Sequence, residues 1–238
     1  MGRAWFSAGL QDVNEDFMAL DAAGNYLNSS FGINSVIALN DHPSIFPQLS
    51  IGLNLGWNIS DNFTWESGIY NGATLSFDHN RFNLKHKLNK RKGYLLLTEG
   101  TYSDESRTAK IGTWYHTGEE DFGLWAMGQQ RLCQVGRGGI DAFAIAAYSP
   151  KKDYRVVTNL MAGINGTGLA TSGDVLGLAV STVQVARQGW ETALELNYRL
   201  PVYKSIYLSP DAQYIINPGA TPHAADALVL DLRLGIAY

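Results

Sequence analysis

The chain has 238 residues, with 18 Lys and Arg against 22 Asp and Glu. The resulting formal charge of −4 is spread without long blocks of one sign, so composition makes no case for a nucleic-acid partner. No run approaches the roughly 20 consecutive apolar residues of a spanning helix; this leaves a β-barrel open, because barrel strands hide their apolar residues in alternation. The lone Cys133 excludes an internal disulfide and a CxxC metal or redox motif, and it reads as a small packed residue.

Glycine is abundant at 25 residues, aromatics are evenly spread, and helical apolar spacing is nearly absent. This is the profile of many strands joined by turns. About twelve runs have the roughly 9 to 11 residues that a tilted barrel strand requires. The first, residues 3–11, sets Ala4, Phe6, Ala8 and Leu10 against Trp5, Ser7 and Gly9. A long connection, 12–47, follows and closes with Pro43 and Pro47; connections of this length are usually functional. Residues 48–57 show the clearest two-face pattern, with Leu49, Ile51, Leu53, Leu55 and Trp57 opposite Gln48, Ser50, Gly52, Asn54 and Gly56.

The turn formers of 58–62 join this run to 63–71 as a hairpin. A second long connection, 72–92, carries K-H-K-L-N-K-R-K. Further strands are read at 94–102, 108–117, 122–132, 141–148, 154–164, 175–186, 189–199, 205–216 and 225–238. The registers between 122 and 186 alternate least cleanly. In 189–199, Trp190, Thr192, Leu194, Leu196 and Tyr198 share one side, and Glu191, Glu195, Asn197 and Arg199 the other. Pro210 cannot donate to a ladder, which predicts a bulge or local break there. The last run places Leu228, Leu230, Leu232, Leu234, Ile236 and Tyr238 opposite Asp231 and Arg233. No composition shift or linker divides the chain, so a single domain over 1–238 is expected.

The stretches G-L-Q-D-V-N-E-D-F from Gly9, L-N-S-S-F-G from Leu27, Y-N-G from Tyr70, I-G-T-W-Y-H-T-G from Ile111, E-T-A-L-E-L-N-Y-R-L-P-V from Glu191, L-S-P-D-A-Q-Y-I-I-N-P-G from Leu208 and A-L-V-L-D-L-R-L from Ala227, in this order along the chain, resemble the bacterial carbohydrate-selective porins of the OprB family. The resemblance implies an all-β fold: an antiparallel transmembrane β-barrel of about twelve strands, or an incomplete part of a barrel of about 16 strands. It further implies an outer-membrane location and passive entry of small sugars into the periplasm without a cofactor. The start of the chain has no apolar stretch of signal-peptide length, and the chain is short for the family, so it is expected to lack an N-terminal portion. The implied partners are small sugars, outer-membrane lipid, lipopolysaccharide and the barrel assembly machinery. Association between copies is compatible with the family, although no interface signal is present.

A sugar offers hydroxyls that donate and accept, and C–H faces that lie well on aromatic rings, so a sugar channel wants carboxylates and Arg close together with aromatics nearby. The inward positions supply Glu66, Tyr70, Glu99, Trp114, Glu191, Glu195, Arg199, Asp211, Gln213, Asp231 and Arg233 as pore-lining or sugar-contact candidates. Charges on the watery side of neighbouring strands also often do no more than pair with each other. Asn14, Glu15 and Asp16 in the first long connection are candidates for a constriction, with an ordinary surface loop as the rival reading. Lys85, Lys87, Lys90, Arg91 and Lys92 are candidates for contact with lipopolysaccharide phosphates, or else a solvated loop. The five histidines show no HxH or HExxH spacing, so no metal is expected. Without a G-x-S-x-G or a spaced Ser/His/Asp set, catalysis has no positive support. Two alternatives remain from other classes: an outer-membrane barrel lipid hydrolase, and a non-conducting barrel fragment.

Overall fold

The computed structural model describes residues 3–75, 78, 80–82, 92–150, 156–221 and 224–236. Among them, twelve strands form one antiparallel sheet in sequence order. They are β1 (Ala4–Gln11), β2 (Ser50–Asn58), β3 (Phe63–Asn71), β4 (Tyr94–Ser103), β5 (Arg107–His116), β6 (Asp121–Val135), β7 (Gly138–Tyr148), β8 (Val156–Thr167), β9 (Val175–Val185), β10 (Gly189–Tyr203), β11 (Ile206–Ile216) and β12 (Ala227–Ile236). Within the described residues β1 pairs with β2 alone and β12 with β11 alone. No described helix is long and apolar enough to cross a membrane.

Alternation decides which way each side chain points. On β12, Leu228, Leu230, Leu232, Leu234 and Ile236 are 66 to 71% exposed, and the same outward side carries Leu53, Leu55 and Trp57 of β2 and Leu194 and Leu196 of β10. The opposite side is covered by the connection 12–49. Within it lie α1 (Val13–Asp16), α2 (Ser35–Asn40) and two 3-10 turns, Ala23–Asn25 and Ser29–Phe31. These short elements are held by side-chain caps: Asp12 accepts from the Asn14 N–H at 2.8 Å, Asn28 from the Ser30 N–H at 3.1 Å and Asn34 from the Ile37 N–H at 3.2 Å.

A hydrophobic core lies between this connection and the wall. Val13, Phe17, Met18, Tyr26, Phe31, Val36 and Ile37 pack with Leu95, Leu97, Met127, Phe143, Ile145, Met161 and Val183. This explains why the middle strands alternate poorly in sequence. Their inward positions meet a packed loop rather than water, so both sides are apolar and the period-two signal fades.

The inward side also shows a repeated pairing of aromatics with glycine. Trp5 lies directly across from Gly56, Tyr70 from Gly52, Trp125 from Gly112, Trp114 from Gly123, Phe143 from Gly163 and Tyr207 from Gly235. In each case a Cβ added to the glycine would sit 2.0 to 2.6 Å from the ring. The rings therefore lie flat against the neighbouring backbone, in the manner of aromatic residues that shield strand glycines.

The local break expected at Pro210 is present: the β10–β11 ladder loses the pairs opposite Tyr198 and Arg199, with the same register on either side and therefore no bulge, and the register shift falls between Pro201 and Tyr203. Pro210 keeps its place opposite Leu232 in the ladder with β12, because the missing N–H interrupts the bonding on one side only. One expectation is corrected: Cys133 is exposed rather than packed, because the register shift after Arg131 sets it opposite Ile140, on the outward side that carries Ala144, Ala146 and Tyr148.

Six connections leave from one end of the sheet: 12–49, 72–93, 117–120, 149–155, 186–188 and 217–226. The connections 59–62, 104–106, 136–137, 168–174 and 204–205 leave from the other. The first is called the long-loop end below and the second the short-turn end.

Candidate functional site: the inward loop and its polar wall

The loop 12–49 enters from the long-loop end, runs along the inward side and returns. It is tied down chiefly by wall side chains that accept from its backbone. On β4, Glu99 accepts the Met18 N–H at 3.0 Å, and on β6 Gln129 accepts the Ala22 N–H at 3.0 Å. Asn165 of β8 donates to the Ala22 carbonyl at 2.7 Å, and its side-chain oxygen accepts from the Tyr26 hydroxyl at 2.7 Å. Glu195 of β10 accepts two consecutive loop amides, Leu27 at 2.5 Å and Asn28 at 3.0 Å. On the return limb Asn159 accepts from Ser35 at 2.9 Å, and Trp114 donates from Nε1 to Asp41 at 2.9 Å.

An irregular loop in a narrow interior has amides that no ladder satisfies, and each left unpaired would cost about 1–3 kcal/mol. The inward carboxylates and amides meet that need. Glu99 also accepts from Lys110 at 3.0 Å and Trp125 at 2.9 Å, so its charge is compensated as well as bonded. The tip of the loop is fixed by three rings: Tyr26 lies 4.8 Å from Phe31 and 5.7 Å from Phe143.

The residues singled out from the sequence fall into three groups. Glu99, Glu195 and Trp114 are buried beneath the loop and bond to it. Asp211 and Gln213 are buried too: Asp211 accepts from Asn197 at 2.9 Å and from Gln213 at 3.0 Å, and Gln213 accepts from Asn28 at 3.2 Å. Tyr70 is buried and donates to Asp16 at 3.0 Å, joined there by Asn54. The second group faces open space. Glu66 is half-buried directly across from Glu99, Glu191 is half-buried and accepts from the Gly219 N–H, and Arg199 lies over the Tyr207 ring at 4.1 Å. Asp231 and Arg233 are exposed on β12, and in the loop Glu15 is exposed while Asn14 and Asp16 are half-buried. The third group is the basic run: Lys85, Lys87, Lys90 and Arg91 lie outside the described residues, and Lys92 is exposed.

The model of the carbohydrate-selective porin, OprB family, matches the chain in two overlapping segments, residues 2–122 and 110–238. The chain belongs to that family. The porin's fold is similar to that of Pseudomonas putida OprB solved at high pH, with a TM-score of 0.83 at 19% identity over 98% of this chain and 69% of that one. A mutant of the Rh. blastica porin is similar at a TM-score of 0.59 and 10% identity, over 97% and 72% of the two chains. No protein of curated function matches by sequence. The chain is therefore an outer-membrane porin of the carbohydrate-selective family, built as a β-barrel wall with the loop on its inner side.

In this porin several residues lie outside the set that the sequence singled out: Gln129, Asn159 and Asn165, which hold the loop, and Trp125, which bonds Glu99. All occupy inward positions by strand parity. Neutral amides among apolar neighbours gave no charge pattern to mark them, and the registers of β6 to β8 were the weakest. His116 ends β5. Its Nδ1 accepts from the Glu119 N–H at 3.0 Å, which leaves Nε2 to donate to the Gly72 carbonyl at 2.6 Å and joins two connections at the long-loop end.

Cavities flank the loop. One of about 320 Å³ opens beside Ser29, Ser35, Val183 and Glu191. Another, about 430 Å³, lies between the loop tip at Asp21 and Asn25 and the turn 104–106.

Proposed function

We propose that this porin passes small sugars by passive diffusion along the exposed face of the loop 12–49, with no cofactor and no covalent step. The observation that carries this reading is the division of labour among the inward carboxylates. Glu99 and Glu195 are spent on the loop backbone, so the loop is held as a fixed wall, and Glu15, Asp21 and Ser29 are left exposed to solute. A pre-organised polar surface can exchange hydrogen bonds with sugar hydroxyls without first reorganising, so it binds weakly and releases quickly. With Asn14 and Asp16, Glu15 forms the constriction in this reading, and Glu66, Glu191, Arg199, Asp231 and Arg233 line the path as the solvated charges.

The whole chain acts as one barrel domain in this proposal. The long-loop end faces outward, where the basic connection containing Lys85, Lys87, Lys90, Arg91 and Lys92 meets lipopolysaccharide phosphates. The assembly machinery of the outer membrane inserts the strands. Swelling of liposomes that contain the purified protein tests the channel. Faster entry of hexoses than of non-carbohydrate solutes of equal size is the expected result. Equal rates would remove the carbohydrate preference, and absence of swelling would remove the channel.

A further inference from the structure

The cavity of about 430 Å³ at the short-turn end is of a size to take a mono- or disaccharide, within the ordinary range of small-molecule sites. Four carboxylates line it, those of Asp21, Asp104, Glu105 and Asp141, against the guanidinium groups of Arg107 and Arg131. Both arginines are already engaged. Arg107 pairs with Asp104 at 2.7 Å and Arg131 with Asp141 at 2.5 Å. Asp21 and Glu105 make no ion pair or side-chain hydrogen bond among the described residues. The cavity therefore presents two uncompensated carboxylates from opposite walls, one on the loop tip and one on the turn between β4 and β5. Asn25, Gln130 and Asn165 supply neutral donors and acceptors between them.

We propose that this cavity is a saccharide subsite that discriminates by charge, favouring amino sugars over neutral sugars and excluding sugar acids. The inference rests on the sugar-channel reading above and adds the substrate class. The ammonium of an amino sugar would sit between Asp21 and Glu105, while its hydroxyls meet the amides. A uronate would place its own carboxylate beside the same two groups. At about 6 Å in water one carboxylate changes the local concentration of a unit charge by roughly threefold, and two by about tenfold. Salt at about 0.15 M shortens the reach of these charges to about 8 Å, so discrimination is greatest at low ionic strength.

The test is tracer entry of glucosamine, glucose and glucuronate into liposomes that contain the full chain, at low and at physiological salt. The expected ratio of glucosamine to glucuronate is about a hundredfold at low salt, roughly tenfold gained by the cation and tenfold lost by the anion relative to glucose. It should fall stepwise in Asp21→Asn and Glu105→Gln and vanish in the double variant, each rate being read relative to glucose entry in the same variant. Asp61→Asn removes the same charge from the same end of the sheet, outside the cavity, and should leave the ratio unaltered. An equal ratio in the wild type and the double variant overturns the proposal, as does an Asp61→Asn effect as large as that of Asp21→Asn. If glucose itself fails to enter, the channel reading has failed instead. Saturation-transfer NMR with glucosamine on detergent-solubilised protein then still reads the cavity: a signal lost in the double variant supports the subsite, and an undiminished or absent signal overturns it.

Discussion

The carboxylate of Glu195 reaches Asn28 from the wall: one oxygen accepts the Asn28 N–H at 3.0 Å while the other accepts that of Leu27 at 2.5 Å. Two residues 167 positions apart in the chain thus form a bidentate clamp between strand and loop. Beside them, the Asn28 side-chain amide donates to Gln213, so a single stretch of the loop is gripped by β10 and β11 together.

Glu195→Ala removes both acceptors and leaves the two loop amides unpaired. Bonds to a charged group contribute about 1.5–3 kcal/mol each, so the central part of the loop should detach from β10. Single-channel conductance is expected to rise with larger open-state fluctuations, and protease nicking should appear between residues 24 and 34. Glu195→Gln keeps one acceptor oxygen and should fall between the two. Conductance and nicking equal to wild type in Glu195→Ala would show that the clamp does not hold the loop.

Gly112→Val tests the cross-strand rings. A Cβ at Gly112 would meet the Trp125 ring at 2.1 Å, and the Trp125 Nε1–H donates to Glu99. The displaced ring would lose that bond and crowd its stacked neighbour Trp114, whose centroid lies 6.0 Å away. Overpacking of this kind costs about 1–3 kcal/mol. The folded, compact band in unheated gel electrophoresis should unfold at a lower temperature than wild type, whereas Gly136→Val, with open space around the added atom but a positive φ, reports backbone strain alone.

The carboxylate of Asp174 organises the connection 168–174. It accepts from Leu169 at 2.9 Å, Ala170 at 2.9 Å, Thr171 at 3.1 Å and the Tyr198 hydroxyl at 2.9 Å. Burial pushes its pKa up, and the bonds from Ala170, Tyr198, Thr171 and Leu169 together more than offset that, holding it below the usual aspartate value. The folded pKa is depressed, so the stability it contributes is present above the usual aspartate pKa and is lost as pH falls through the lowered one. Pepsin cleavage near Leu169 should therefore appear only at strongly acid pH in the wild type. In Asp174→Ala the connection should be open at neutral pH too, as seen by cleavage with a neutral protease, and the acid step should be absent.

Trp114→Phe preserves the stacked ring beside Trp125 but removes the donor to Asp41. The loss should be about 1 kcal/mol and confined to the return limb of the loop. The near-ultraviolet circular dichroism of the Trp pair should also change. Protection of the 35–41 amides against hydrogen exchange is expected to drop while that of 18–28 stays as in wild type. Equal loss in both regions would mean that the loop docks as one unit.

Alternation and turn composition determined the strands. The run 63–71 coincides with β3, and most other boundaries differ by one to three residues, because a half-buried strand must place unlike side chains on its two faces whatever it packs against. The outward leucines of β12 and the first long connection were legible for the same reason: they are properties of local sequence. What the inward charges do was decided by tertiary structure alone. Glu66 and Glu99 occupy identical inward positions on adjacent strands and face one another, yet Glu99 is 2% exposed beneath Met18 and Glu66 is only half-buried. The difference lies in where a loop from far along the chain comes to rest, and no local pattern encodes it. The cross-strand match of Trp125 to Gly112 likewise exists only once register is set, because a glycine is indistinguishable from any other small inward residue until a ring lies over it.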